Sequence, residues 1–342
     1  MTGHLRVVAP HATRTGSTKV LLGLLRRARP MLGRPLSVEL LSGGPLEDDL
    51  LALGSGEGVG GPPALVMANT SLAAAALTDV ASGIPTVAYV HEAAEVLAEL
   101  PRAARTGLDR ADLVLCVSEG SALELGELGV AGRIVVLPPL VEPVVPPDPG
   151  AVADARRDAG AGDGDRLVVA CGEAGWRKGA DLFVQLARAF AEEPSVRFAW
   201  AGRRIRPFNH TLDHDSRLCG VADRTRWLGD LEDPLPLLAG ADVVVMTSRH
   251  DPQPLVPLEA ALVGTPTAAF RVGGLGDLAD AGALAEAPFP DVQALADVVA
   301  DLLVHPTAGQ ALAGAARERI AARQAPDVVV PRFVAEIEAL VV

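Results

Sequence analysis

The run Ala241-Asp242-Val243-Val244-Val245-Met246-Thr247-Ser248 constrains the fold of this chain more than any other stretch. It is short, β-branched and apolar without alternation, the pattern of a strand covered on both faces, as in a parallel sheet. The block that follows, Asp251-Pro252-Gln253-Pro254-Leu255-Val256-Pro257-Leu258-Glu259-Ala260-Ala261-Leu262-Val263-Gly264-Thr265-Pro266, leaves the carboxyl edge of that sheet. Leu258 to Val263 forms helix and is stopped by Gly264 and Pro266. Asp251 is therefore expected in the strand-to-helix loop and Glu259 early in the helix. Open α/β sheets bind ligands at that edge.

The first turn of a helix carries unpaired N–H groups and partial positive charge, so the amides of Leu255 and Val256, next to Pro254, suit a phosphate. Carboxylates accept hydrogen bonds from vicinal hydroxyls, which makes ribose and sugar rings fitting partners for Asp251 and Glu259. The plainer alternative is that Asp251 caps the helix and Glu259 is an acid favoured by its dipole. A second strand end tips the balance. Lys19 and Lys178 are the only two lysines in the chain, and all other basic residues but histidine are arginine. Lys178 lies in Leu167-Val168-Val169-Ala170-Cys171-Gly172-Glu173-Ala174-Gly175-Trp176-Arg177-Lys178-Gly179, a buried strand, a loop and the start of an amphipathic helix. An ammonium at a strand's carboxyl end suits a phosphate oxygen, and Arg177 beside it offers a fork for a second one.

On these residues the chain resembles the retaining, nucleotide-sugar-dependent glycosyltransferases of family 4. Their GT-B fold has two Rossmann-like parallel-sheet domains facing across a cleft. The resemblance lies in the Lys178-Gly179 pair and in an acid, Asp251, separated by seven positions from Glu259-Ala260. It implies that Lys178 holds the donor diphosphate, that Asp251 contacts the donor sugar, and that Glu259 binds the ribose. Two positions depart from the family pattern: Asp251 stands where Glu is usual, and Glu173 where an Arg commonly follows the strand glycine. Arg177 is expected to take the place of that Arg.

The first half is compatible. Leu5 to Pro10 reads as a strand followed by a loop with Gly16, which the resemblance places near donor phosphate and acceptor. No Gly-x-Gly-x-x-Gly follows it, which argues against a dinucleotide-dependent dehydrogenase. Thr86 to Glu92 ends another buried strand in His91-Glu92, and the resemblance puts His91 beside the donor sugar and the acceptor. Ser118 reads as a helix cap. Phe198 to Arg204 is a strand ending in Gly202-Arg203-Arg204, with Arg203 or Arg204 reaching phosphate, base or solvent. Trp227-Leu228-Gly229-Asp230 reads as a strand-end turn whose backbone at Leu228 lines the base pocket by resemblance.

The implied reaction moves a sugar from a nucleotide diphosphate sugar to a hydroxyl acceptor, with retention, on the leaving-group face and without metal or cofactor. The leaving phosphate would take the acceptor proton, so no strong protein base is required, and His91 would orient substrate. His91, Lys178 and Asp251 form the expected catalytic set. Gly16, Arg177, Lys178, Arg203, Leu228, Asp251, Pro254, Leu255, Val256 and Glu259 form the donor-binding set. A noncatalytic nucleotide-sugar-binding subunit supporting a partner enzyme is the alternative, motivated by Asp251 and Glu173. A nucleotide-sugar epimerase is a third, and it would need acid–base groups that the sequence does not locate.

With 342 residues the chain exceeds a usual single core. Residues 1–145 are expected to form the acceptor-side domain and 146–326 the nucleotide-sugar domain, joined through the proline-rich segment Pro138 to Pro149. A final helix over 327–342 packs back on the first domain by resemblance. The 49% apolar composition contains no run approaching the roughly 20 residues of a membrane span, and no signal pattern opens the chain, so a cytoplasmic protein is expected. Cys116, Cys171 and Cys219 suggest neither a disulfide framework nor a zinc site. A net charge of -13 argues against nucleic-acid binding and against general adhesion to anionic membranes. The cluster Arg26, Arg27, Arg29 and Arg34 reads as a solvated face, with membrane contact at most peripheral.

Overall fold

The computed structural model describes residues 3–54, 59–206 and 208–341. The chain divides into two compact units, Met1–Glu142 with Ala322–Val342, and Pro143–Ala321. Each is built on one six-stranded, wholly parallel sheet.

The first unit contains β1 (His4–Ala9), β2 (Leu36–Leu40), β3 (Pro63–Asn69), β4 (Thr86–Val90), β5 (Leu113–Cys116) and β6 (Arg133–Val136), in the order β2-β1-β3-β4-β5-β6. Every residue of β4 and β5 is buried, as a strand with helices on both faces requires. Helix Gly16–Ala28 turns Val20, Leu21, Leu24, Leu25 and Ala28 inward at helical spacing. Helix Pro326–Ala339 packs against it, beginning one residue before the expected 327; Val342 lies outside the described residues. Arg34 fixes the helix end through Glu338 at 2.6 Å.

The second unit contains β7 (Arg166–Cys171), β8 (Val196–Ala201), β9 (Thr225–Gly229), β10 (Val243–Met246), β11 (Thr267–Phe270) and β12 (Ala285–Ala287), in the order β12-β11-β10-β7-β8-β9. One face of this sheet packs an aromatic core. Phe183 sits edge-on to Phe198, Trp200 and Trp227 at 5.7, 5.1 and 6.3 Å between ring centroids. The Trp200 indole donates to the Gly172 carbonyl at 2.7 Å, which ties the core to the end of β7. Pro149 is not linker but the first residue of helix Pro149–Asp158, a position where its missing N–H costs nothing. Asp148 caps that helix, accepting from the Gly150 and Ala151 amides at 2.8 and 3.2 Å.

Strand order reverses between β1 and β3 in the first sheet and between β7 and β10 in the second. At such a switch point the loops leaving the two strands run in opposite directions and open a crevice at the carboxyl edge.

Candidate functional site

At the switch point of the second sheet the loop after β7 meets the loop after β10. The Lys178 ammonium donates to Asp251 Oδ2 at 2.5 Å, with the two side chains only 14% and 6% exposed. The Ser248 hydroxyl donates to the same oxygen at 3.2 Å. The main chain dictates this contact. The Thr247 hydroxyl bridges the carbonyls of Lys178 and Gly179 at 3.0 and 2.9 Å. Gly179 has φ +70, and a Cβ there would lie 1.9 Å from the Thr247 carbonyl oxygen, so only glycine lets the loops approach. Arg249 completes the lacing: its guanidinium donates to the Trp176 carbonyl and, as a fork, to Asp181 at 2.8 and 2.7 Å. From the start of the helix after β11, the Gly274 amide donates to the Asp251 carbonyl at 3.0 Å.

Helix Val256–Leu262 follows, with Leu255 as its N-cap residue and no side-chain cap. Asp251 therefore does not cap the helix; its carboxylate is taken by Lys178 and Ser248. Glu259 lies in the first turn, half-buried. Pro254 is buried, and Leu255 and Val256 are half-buried at the helix start.

The arginines and β9 make contacts that the sequence did not show. Arg177 donates to the His250 carbonyl at 3.1 Å and stands 4.0 Å from Asp251, so one of its nitrogens braces the β10 loop. Its backbone carbonyl accepts from the Arg249 amide at 2.8 Å, which aligns the residue along that loop. Arg203 is bound to Glu173 at 2.6 Å, so the arginine after β8 neutralises the acid after β7. Leu228 is inside β9 and packs on the core; the chain turns only at Gly229, where φ is +72. Arg204 forks onto Asp213, with both contacts at 2.7 Å, and lies 5.5 Å from the Trp227 ring.

The carboxyl edge of the first sheet has a different character. Gly16 is simply the first residue of helix Gly16–Ala28, with Thr15 at the N-cap. His91 follows β4 directly, its ring 4.1 Å from that of Tyr89 and its Nε2 3.1 Å from Asn69 Oδ1 at the end of β3. Tyr89 is fully buried and its hydroxyl donates to the Leu137 carbonyl at 3.0 Å. Burial pushes the His91 pKa down to about 3. The Glu92 carboxylate accepts the Ser71 and His91 amides at 2.9 and 3.1 Å, yet burial outweighs those bonds and raises its pKa. Thr70, between Asn69 and Ser71, has φ +76 and ψ 153, a region that residues with a Cβ rarely occupy.

Sequence reasoning missed Asn69, Thr70, Ser248, Arg249 and Gly274. Asn69-Thr70-Ser71 after an apolar run was a readable signal of a strand end, as was Gly273-Gly274 after β11. The partners of Arg249 carry no sequence signature, because Trp176 and Asp181 are brought to it by the crossing of two loops. The basic cluster is largely occupied: Arg26 pairs with Asp49 and Arg27 with Glu142, both at 2.5 Å, and Arg34 pairs with Glu338. Ser118 caps helix Glu119–Glu127 by accepting the Ser121 amide at 3.1 Å. All three cysteines are free. Among the described residues no group of three or more His, Cys, Asp or Glu gathers as a metal site, and no helix is long and apolar enough to cross a membrane.

Two α/β units with parallel sheets of this kind define the GT-B class of fold, and comparison with known structures bears this out. HepE of Anabaena, solved in complex with UDP-glucose, superposes with a TM-score of 0.80 over 98% of this chain and 99% of that one, at 20% identity. Residues 165–305, from β7 through the helix after β12, match the family described as glycosyl transferases group 1. The glycogen synthase of Mycobacterium tuberculosis is 35% identical over 143 residues, covering 41% of this chain and 34% of that protein. The lipopolysaccharide core biosynthesis glycosyltransferase LpsE of Rhizobium meliloti is 33% identical over 167 residues, covering 48% and 45%. The chain thus spans less than half the length of these curated relatives.

Proposed function

We propose that this chain is a retaining glycosyltransferase of the family 4 type, which moves a sugar from a nucleotide diphosphate sugar to a hydroxyl acceptor. The observation that carries this reading is the buried Lys178–Asp251 contact at the β7/β10 switch point, with Glu259 one helical turn beyond. The match over residues 165–305 to glycosyl transferases group 1 supports it, as does the UDP-glucose complex of the similarly folded HepE.

In this reading the donor diphosphate draws the Lys178 ammonium onto its oxygens and leaves Asp251 to accept hydrogen bonds from the sugar, while Glu259 takes the ribose hydroxyls. Lys178 and the helix-start amides of Leu255 and Val256 stabilise the charge that grows on the departing diphosphate, without a metal. The bond from the anomeric carbon to the phosphate oxygen breaks and the bond to the acceptor oxygen forms on the same face. The acceptor proton passes to the departing phosphate oxygen, so no protein base is consumed.

The second reading, a nucleotide-sugar-binding subunit without turnover, draws on Arg203 being held by Glu173 and Arg177 by the His250 carbonyl, which leaves Lys178 as the main cation for the diphosphate. A thermal-shift panel of UDP, GDP, ADP and dTDP sugars, followed by product analysis with an acceptor panel, separates the two. Stabilisation by one nucleotide class, lost in Lys178→Ala and Glu259→Ala, with a new glycoside formed, is the expected result. Binding without product favours the subunit, and no binding at all overturns both.

A further inference from the structure

At the carboxyl edge of the first sheet, where the resemblance puts His91 beside the donor sugar and the acceptor, the polar groups form a built arrangement. The His91 ring is half-buried, held against Tyr89, with Nε2 3.1 Å from Asn69 Oδ1. Among the described residues its other nitrogen, Nδ1, makes no hydrogen bond. Asn69 is 1% exposed, so its amide has little freedom to turn elsewhere. The next residue, Thr70, is held in its unfavourable backbone conformation by its amide, which donates to the Tyr89 carbonyl at 2.8 Å, and its own hydroxyl is buried without a partner. Strain of this kind persists only where the surroundings over-determine it, and it concentrates where a side chain must be aimed. Here it fixes the end of β3 against the end of β4, which is what brings Asn69 to His91.

With Oδ1 of Asn69 facing Nε2, the oxygen accepts, which puts the ring proton on Nε2 and the lone pair on Nδ1. We propose that Asn69 is a positioning residue: by accepting the Nε2 proton of His91 it leaves Nδ1 as a hydrogen-bond acceptor for a substrate hydroxyl, so that this edge takes an uncharged polyol in preference to an anion. The surroundings agree with that chemistry. The titratable groups around the ring are Glu92, Tyr89 and, on the neighbouring strand end, Cys116; burial favours the neutral form of all three, and among the described residues no cation is paired with them. A neutral imidazole with a free lone pair repels phosphate and carboxylate oxygens and accepts from O–H. The inference rests on the glycosyl-transfer reading for the identity of the hydroxyl-bearing substrate, but its physical content belongs to the first unit alone.

The test uses the full chain with ring-15N histidine, His91 being assigned by the signal lost in His91→Asn. Between about pH 5.5 and 8, where an ordinary histidine titrates, the wild-type signals should show a protonated Nε2 and a bare Nδ1 that do not change. In Asn69→Asp the added carboxylate should raise the His91 pKa and bring a titration into that range. In Asn69→Leu the fixed tautomer should give way to a mixture. Methyl α-D-glucopyranoside should move the Nδ1 signal upfield, and glucuronate at equal concentration should move it less. A proton on Nδ1, or wild-type titration near the ordinary value of 6.5, overturns the role of Asn69. No response to the glucoside, or an equal response to glucuronate, overturns the substrate assignment. Nucleotide-sugar binding, measured separately by thermal shift, tests the donor reading, so its failure cannot be mistaken for failure here.

Discussion

The two sheets are both six-stranded and parallel, yet the loops at their carboxyl edges carry opposite chemistry. The second sheet closes its β7/β10 edge with ion pairs, Lys178 to Asp251 and Arg249 to Asp181. The first sheet furnishes its β3/β4 edge with groups whose neutral forms burial favours, His91 and Glu92, linked through Asn69 and main-chain amides. A charged edge suits a charged ligand, because each ion can trade its partner for a ligand oxygen of the same sign. A neutral edge suits hydroxyls. The difference shows that one α/β plan acquires two electrostatic characters from a few residues past the strand ends.

Breaking the charged edge should have the largest effect. Lys178→Met leaves the Asp251 carboxylate in a nearly buried position with the Ser248 hydroxyl and the more distant Arg177 guanidinium, and removing one partner of a buried pair costs about 3–5 kcal/mol. Urea unfolding should show that loss, whereas the double variant Lys178→Met with Asp251→Leu, which removes both charges, should recover most of it. Equal losses in the single and double variants would mean that the pair contributes nothing to folding.

The neutral edge should reveal itself through pH. His91 has a folded pKa below its unfolded value of 6.5, so in the interval beneath 6.5 the unfolded chain binds the proton and the folded chain does not. Stability present above pH 6.5 is therefore lost as pH falls, with a slope of at most about 1.4 kcal/mol per pH unit for one proton. Glu92 has the opposite sign: its raised pKa favours the folded state at low pH, and that contribution fades as pH rises through the folded value. The difference between wild type and His91→Asn, followed by urea unfolding from pH 7 to about pH 5, isolates the histidine. A difference that stays constant over the interval would contradict a buried neutral ring.

The charged edge was far more legible in the sequence than the neutral one, and the reason is physical. Lys178 stands out as one of two lysines, and Asp251 and Glu259 flank a helix start, so residue type and spacing both signal a ligand site. The parallel strands were equally visible as unbroken apolar runs such as Leu113 to Cys116. Asn69 and Thr70 gave only the signal of polar residues after a strand, because their roles depend on β3 lying beside β4 and on a backbone angle. The partners of Arg203 and Arg177 were illegible for a related reason. Sequence shows a cation at a strand end but not the acid or carbonyl that the neighbouring loop presents to it.

The smallest expected effect sharpens the same contrast within the charged edge. Glu173 and Arg203 are 48% and 70% exposed, so water screens their pairing, and an exposed ion pair contributes little to folding. Glu173→Ala and Arg203→Ala should leave the unfolding midpoint unchanged within error. Their value lies in binding, since Glu173 follows the strand that leads to Lys178. If Arg203 serves the diphosphate once released from Glu173, then Glu173→Ala tightens nucleotide-sugar binding, Arg203→Ala weakens it, and the double variant matches Arg203→Ala. If Glu173 acts only as a repelling charge, its removal tightens binding equally with or without Arg203. The double-mutant cycle therefore decides whether the acid at this position stores an arginine for the ligand or merely weakens its attraction.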